Sequence, residues 1–209
     1  MNTSVSQAAA PDGPVARKDF QAALEHGPAR FAGWSLADLE LKGLDLHGCE
    51  FVSCRAGRAD FSSCDLSEAR FTACDLNNAK FRRATLASAA FLDCKLTGVQ
   101  MSDARTLGLS FERCLLVSAQ LKGLSFRRMA LDGLDFQGAD LAAVDFREAV
   151  LTGCSLRDAN LTDARFEGAD LRGADLGALR LADASRFKGA IISKRQAAAL
   201  LSSLGLRVE

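Results

Sequence analysis

Leu151 to Leu181 reads LTGCS LRDAN LTDAR FEGAD LRGAD LGALR L, and residues 151, 156, 161, 166, 171, 176 and 181 are all Leu or Phe. A small side chain stands two places before most of them: Ala149, Cys154, Ala159, Ala164, Ala169 and Ala174. Asp or Asn often stands immediately before, as at Asn160, Asp170 and Asp175. The unit is a pentad, roughly A-(D/N)-L-x-x. A fixed internal period decides architecture before local propensity does.

The period runs back without a slip to Phe31, and every central position from 31 to 181 except Ala56 and Thr106 is Leu, Phe or Met. A straight helix cannot use this pattern, because five residues at about 100° each would scatter the large side chains around the cylinder. A flat strand fails as well, since an odd period sends alternate centres to opposite faces. The chain must bend once per pentad with the same side chain always inward, which describes a coil stacked on itself as a solenoid.

Residues 29–192 resemble the pentapeptide repeat proteins. The resemblance implies an all-β solenoid, a right-handed quadrilateral β-helix with four pentads per coil. Nearly eight coils are expected, with short helices at both ends. Residues twenty apart then stack, so Phe31, Phe51, Phe71, Phe91 and Phe111 form one inward column.

The 209 residues carry 26 basic and 26 acidic side chains. This balance argues against direct nucleic-acid binding, which calls for a basic surface. It also argues against a uniformly acidic surface. No apolar run approaches the roughly 20 residues that span a membrane. The start, MNTSVSQAAAPDGP, lacks the pattern of a secretory signal, so a cytoplasmic protein is expected. The seven cysteines (49, 54, 64, 74, 94, 114 and 154) all fall on the small inward position. They read there as buried apolar groups rather than metal ligands. No C-x-x-C pair occurs, and no cofactor is expected.

Taken in order, residues 1–14 are small and polar with two prolines and read as a disordered tail. Residues 15–28 read as a capping helix with Val15, Phe20 and Leu24 apolar, ended by Gly27-Pro28. After Asp183 the period slips by one, with Phe187 and Ile192 as the next centres. Residues 193–209 read as a helix and tail, with Ser193 as N-cap and Gly205 as the stop. Ala197, Leu200, Leu201 and Leu204 form an apolar stripe there, followed by Leu206 and Val208. These six residues are the expected homodimer interface, because a terminal repeat normally ends in a polar cap and this one does not.

The stretch Leu204-Gly205-Leu206-Arg207-Val208 is similar to the L-G-[IL]-x-V ending of the quinolone-resistance (Qnr) pentapeptide proteins. Leu107-Gly108-Leu109 resembles a mid-chain L-G-I of the same group. The resemblance implies a two-fold homodimer through the C-terminus. It also implies a partner in DNA gyrase or topoisomerase IV, bound by DNA mimicry and protected from topoisomerase poisons.

Any recognition surface must come from outward residues. Apolar ones gather at Leu92, Leu107, Leu115 and Val117, with Asp93, Glu112 and Asp135 as acidic neighbours, and these seven are the candidate partner surface. No catalytic residues are expected. Catalysis needs a base, nucleophile or metal in a concave site, whereas the repeated Asp and Asn side chains can bond local backbone at the corners. The alternative to topoisomerase binding is a general protein-interaction scaffold, or a secretion-associated pentapeptide repeat protein, engaging an unknown partner through residues 15–26 or the mid-chain patch.

Overall fold

The structure, a computed structural model, describes residues 5–11, 13–177, 185–203 and 205–207. It divides into two compact units, Met1–Leu116 and Val117–Glu209.

In the first unit, strand β1 (Ser6–Ala8) is followed by helix α1 (Arg17–Leu24). Strands β2 (Ala29–Ala32), β3 (Glu50–Val52), β4 (Arg70–Thr72), β5 (Ala90–Leu92) and β6 (Ser110–Glu112) then recur every coil. The sheet runs β1-β2-β3-β4-β5-β6, all pairs parallel, with Phe31, Phe51, Phe71, Phe91 and Phe111 in register. The other three sides of each coil pair through single bridges such as Arg55↔Asp75 and Asp60↔Lys80.

Each pentad turns at its last two residues. The second of these takes positive φ, as at Asp38 (62°), Ser63 (58°) and Asn78 (58°). A non-glycine residue pays roughly 1–2 kcal/mol for that conformation. Backbone bonds offset the cost. At three corners of a coil a turn bond closes the bend: the Leu39, Leu44 and Cys49 N–H groups donate to the Leu36, Leu41 and Leu46 carbonyls at 3.1, 3.2 and 3.1 Å. Rungs to the neighbouring coil join them, such as Leu36 N–H to the Arg55 carbonyl at 2.7 Å. The fourth corner, following the phenylalanine column, is the extended one, and there Cys54, Cys74, Cys94 and Cys114 face inward.

Inside, Phe71 stacks on Phe51 at 4.6 Å and on Phe91 at 4.8 Å, while Phe61 and Phe81 form a second column at 5.1 Å. The columns meet edge to face at about 6.0 Å. Both arrangements suit the ring quadrupole and add roughly 0.5–1.5 kcal/mol per pair beyond burial. Ala56, the underfilled centre, is nonetheless buried. Thr106 is half-buried, and the large Leu109 beside it is buried in the small site.

The N-terminal end departs from expectation in one respect. Residues 1–14 read as disordered, yet Ser6–Ala8 pairs in parallel with Ala29–Phe31. The first coil exposes a row of backbone donors and acceptors, and such an edge recruits chain whose composition alone would leave it unstructured. Helix α1, shorter than the 15–28 expected, lays Phe20 on Phe31 (4.6 Å) and Trp34 (5.2 Å). Phe20 is wholly buried, so α1 covers the end of the apolar column.

In the second unit, strands β7 (Ala130–Asp132) and β8 (Val150–Thr152) pair in parallel, with Leu131 over Leu151. Phe126, Phe146 and Phe166 stack at 5.3 and 4.8 Å, and Phe187 continues the column at 4.6 Å after twenty-one residues rather than twenty. The one-residue slip is therefore real. The bridge Asp170↔Ile191 carries the same offset. Helix α2 (Lys194–Ser203) closes the chain. The coils make about seven turns, the turn after Leu171 containing residues outside the described ones.

Candidate interaction surfaces

The carboxylates before central residues are committed to the corners. Oδ1 of Asp45, Asp65, Asp75, Asp135, Asp140 and Asp170 each accepts the N–H two residues on, at 2.9–3.2 Å. These Asx bonds explain why the pattern asks for Asp or Asn there. Asp60 goes further. It is buried, accepts from the Ser62 N–H at 3.0 Å, and faces Lys42 at 3.3 Å and Lys80 at 3.9 Å. Burial alone would raise its pKa, but Ser62 and Lys42 outweigh that and hold it below the usual carboxylate range.

Of the candidate partner residues, five lie in the first unit. Leu107 is 86% exposed, on a corner whose positive φ falls on Gly108, and Leu115 is 45% exposed. Leu92 is half-buried and is the strand partner of Glu112. Asp93 and Glu112 are not free charges. Arg113 donates to Asp93 at 2.7 and 3.1 Å and also bonds Glu112. The Arg113 hydrogen bonds hold Asp93 below its ordinary pKa. Leu107 and Leu115 thus protrude, while the Asp93 and Glu112 charges are partly offset by the single Arg113 guanidinium.

The other two, Val117 and Asp135, belong to the second unit. Both are half-buried, and Asp135 is occupied by the Gln137 N–H at 3.0 Å. A denser charged corner lies elsewhere in that unit. Glu148 binds Arg128 at 2.7 Å and Arg127 at 2.9 Å, and these bonds bring its pKa down to about 2.

At the C-terminus, Ala197 and Leu200 are half-buried, whereas Leu201 and Leu206 are 39% and 54% exposed. Leu204 and Val208 lie outside the described residues. Ser193 caps α2: its Oγ accepts the Gln196 N–H at 3.2 Å, and Gln196 Oε1 accepts the Ser193 N–H at 2.7 Å. Gln196 Nε2 then donates to the carbonyls of Leu171 (2.7 Å) and Ala174 (2.8 Å), fastening the helix to the last coil. Gly205 ends it at φ 80°, with the Leu206 N–H on the Leu201 carbonyl at 3.1 Å.

Sequence reasoning missed the Gln196 clamp and the arginine clasps. Both had a signal. Ser193-x-x-Gln196 is the capping-box spacing. Asp38/Arg58, Asp93/Arg113 and Arg128/Glu148 are opposite charges twenty residues apart, hence cross-strand neighbours.

The family model for pentapeptide repeat regions matches residues 29–101 and 44–121, and that for pentapeptide repeats in eight copies matches 110–147 and 139–177. The chain belongs to the pentapeptide repeat family. Among solved structures, a trypsin-treated variant of QnrB1 superposes with a TM-score of 0.73 at 22% identity, covering 87% of this chain and 98% of that one. Full-length QnrB1 gives 0.71 at 21%, covering 85% and 97%. QnrB1 is a plasmid-mediated fluoroquinolone resistance protein. The likeness establishes a common fold, the right-handed quadrilateral β-helix. No curated protein matches the sequence.

Proposed function

We propose that this chain is a non-catalytic binding protein that docks on a type II topoisomerase, DNA gyrase or topoisomerase IV, and alters its response to poisons. The observation that carries the reading is the match to QnrB1 along nearly the whole of both chains, joined to the Leu204–Val208 ending. In this reading contact is made by protruding apolar side chains, above all Leu107 and Leu115, beside Leu92. Charge mimicry of a duplex contributes little, because duplex DNA carries one charge per roughly 1.7 Å whereas Asp93 and Glu112 are both clasped by Arg113. Two copies pair through Leu201, Leu206 and the rest of the C-terminal stripe, which also covers the last coil. The scaffold reading that uses residues 15–26 to capture a partner is weakened by Phe20, whose ring is already spent on Phe31 and Trp34.

Supercoiling by gyrase, with and without a fluoroquinolone, tests the proposal as the chain is titrated in. Protection or inhibition below tens of micromolar, reduced at least tenfold by Leu107→Asp with Leu115→Asp, is the expected result. No effect of the wild-type chain on either reaction ends the topoisomerase reading.

A further inference from the structure

Four of the seven cysteines stand in one column. Cys54, Cys74, Cys94 and Cys114 occupy the extended corner of successive coils, each 2% exposed or less. Their thiols donate to the carbonyls of Phe31, Phe51, Phe71 and Phe91 at 3.2, 3.3, 3.4 and 3.4 Å. That common partner geometry sets all four sulfurs on the same side of the corner, one per coil. Cys49, Cys64 and Cys154 differ: the residues twenty before and after each are Ala or Leu, so none has a thiol in the next coil.

We propose that this ladder is a binding site for soft, closed-shell divalent cations of the mercuric type, each held linearly between the thiolates of two adjacent coils. Consecutive coils are separated by about 4.8 Å, and two metal–sulfur bonds of about 2.3 Å span nearly that distance. Thiolate ligands select soft ions. Among the described residues no group of three or more His, Cys, Asp or Glu is placed to hold a metal. A line of equally spaced thiols instead offers an ion two ligands, which is what linear coordination requires.

The step balances without an oxidant. Two thiols lose their protons to solvent, two sulfur–metal bonds form, and the dication becomes a neutral bis-thiolate. Neutrality matters here, because a net charge left in the coil interior would be costly. Four buried thiols in one column, taken two at a time, give a capacity of two ions per chain.

The test compares variants with equal thiol counts and different adjacency. Ala fits the position, since the solenoid uses it there throughout. The reduced full-length chain is titrated with mercuric chloride, following sulfur-to-metal charge-transfer absorption and proton release. Two ions and about four protons are expected for the wild type. Cys94→Ala with Cys114→Ala leaves one adjacent pair and should bind one ion; Cys54→Ala with Cys114→Ala leaves Cys74 beside Cys94 and should do the same. Cys54→Ala with Cys94→Ala leaves the remaining two thiols two coils apart and should lose linear binding in the ladder. Equal binding by all three double variants overturns the proposal, as does a wild-type chain that binds only after denaturation.

Discussion

Phe71 shows what a central position does. It is wholly buried and stacks on rings above and below at 4.6 and 4.8 Å. Phe71→Ala should cost about 3–5 kcal/mol, the range for an aromatic truncated in a rigid core, and should lower the melting temperature accordingly. Phe71→Asp places an unpaired charge in the coil and should abolish cooperative melting; a variant melting like the parent would refute the inward register. The thiols make a second residue-scale case. Burial pushes Cys49, Cys64 and Cys154 up to about 11. With so little thiolate at neutral pH, and no access, these three should react with a thiol reagent only as fast as the coil opens. Rapid labelling of Cys49, Cys64 or Cys154 in the native chain would contradict that.

The two end elements depend on a few contacts each. Gln196 gives α2 a pair of capping bonds and two bonds to the last coil, each worth about 1 kcal/mol net. Gln196→Ala should therefore loosen the helix by a few kcal/mol, read as loss of amide-exchange protection over 194–203 while the coils keep theirs. Unchanged protection would show that the clamp is dispensable. Phe20→Asp should likewise release α1 and expose the Phe31–Trp34 end. These elements also mark the limits of the sequence. The coil was legible because a five-residue period repeated some thirty times averages out local noise. The C-terminal helix was legible from its cap and stop residues. Strand β1 was not: SQA has no periodicity, and its place is set by the empty edge of β2 rather than by anything in those three residues. The partner residues were legible only as outward positions. That Arg113 clasps Asp93 depends on which side chains the coil stacks, a relation visible only once the twenty-residue step is applied to charges as well as to phenylalanines.

For the molecule as a whole, pairing through the C-terminal stripe predicts a homodimer at micromolar concentration by sedimentation, and monomers for Leu201→Glu with Leu206→Glu. A monomeric wild type would remove the pairing. Acid sensitivity is a second property of the whole chain. Asp38, Asp60, Asp65, Asp93, Asp145, Glu148 and Asp170 all have folded pKa values below their ordinary ones. Groups of this kind release protons on folding, so their stabilisation is complete above roughly pH 4–5 and is lost as pH falls through the lower folded values. Melting temperature should hold from pH 8 to 5 and fall steeply toward pH 3. Because most of these pairs are exposed, high salt at pH 7 should remove part of the same stability. A flat profile down to pH 3 would mean that the clasps contribute nothing.

Every rung of the backbone ladder joins residues about twenty apart, and the first of them, between β1 and β2, needs only the chain up to Ala32. A polypeptide synthesised N-terminus first can thus pair β1 with β2 as soon as Ala32 has emerged. Within the first unit, each later strand meets a finished edge and adds to it without waiting for distant sequence. Contact distance along the chain stays constant however many coils follow, so lengthening adds stability without the slow search that long-range β pairing usually demands. Growth of this kind is directional within the unit, running from β1 toward β6.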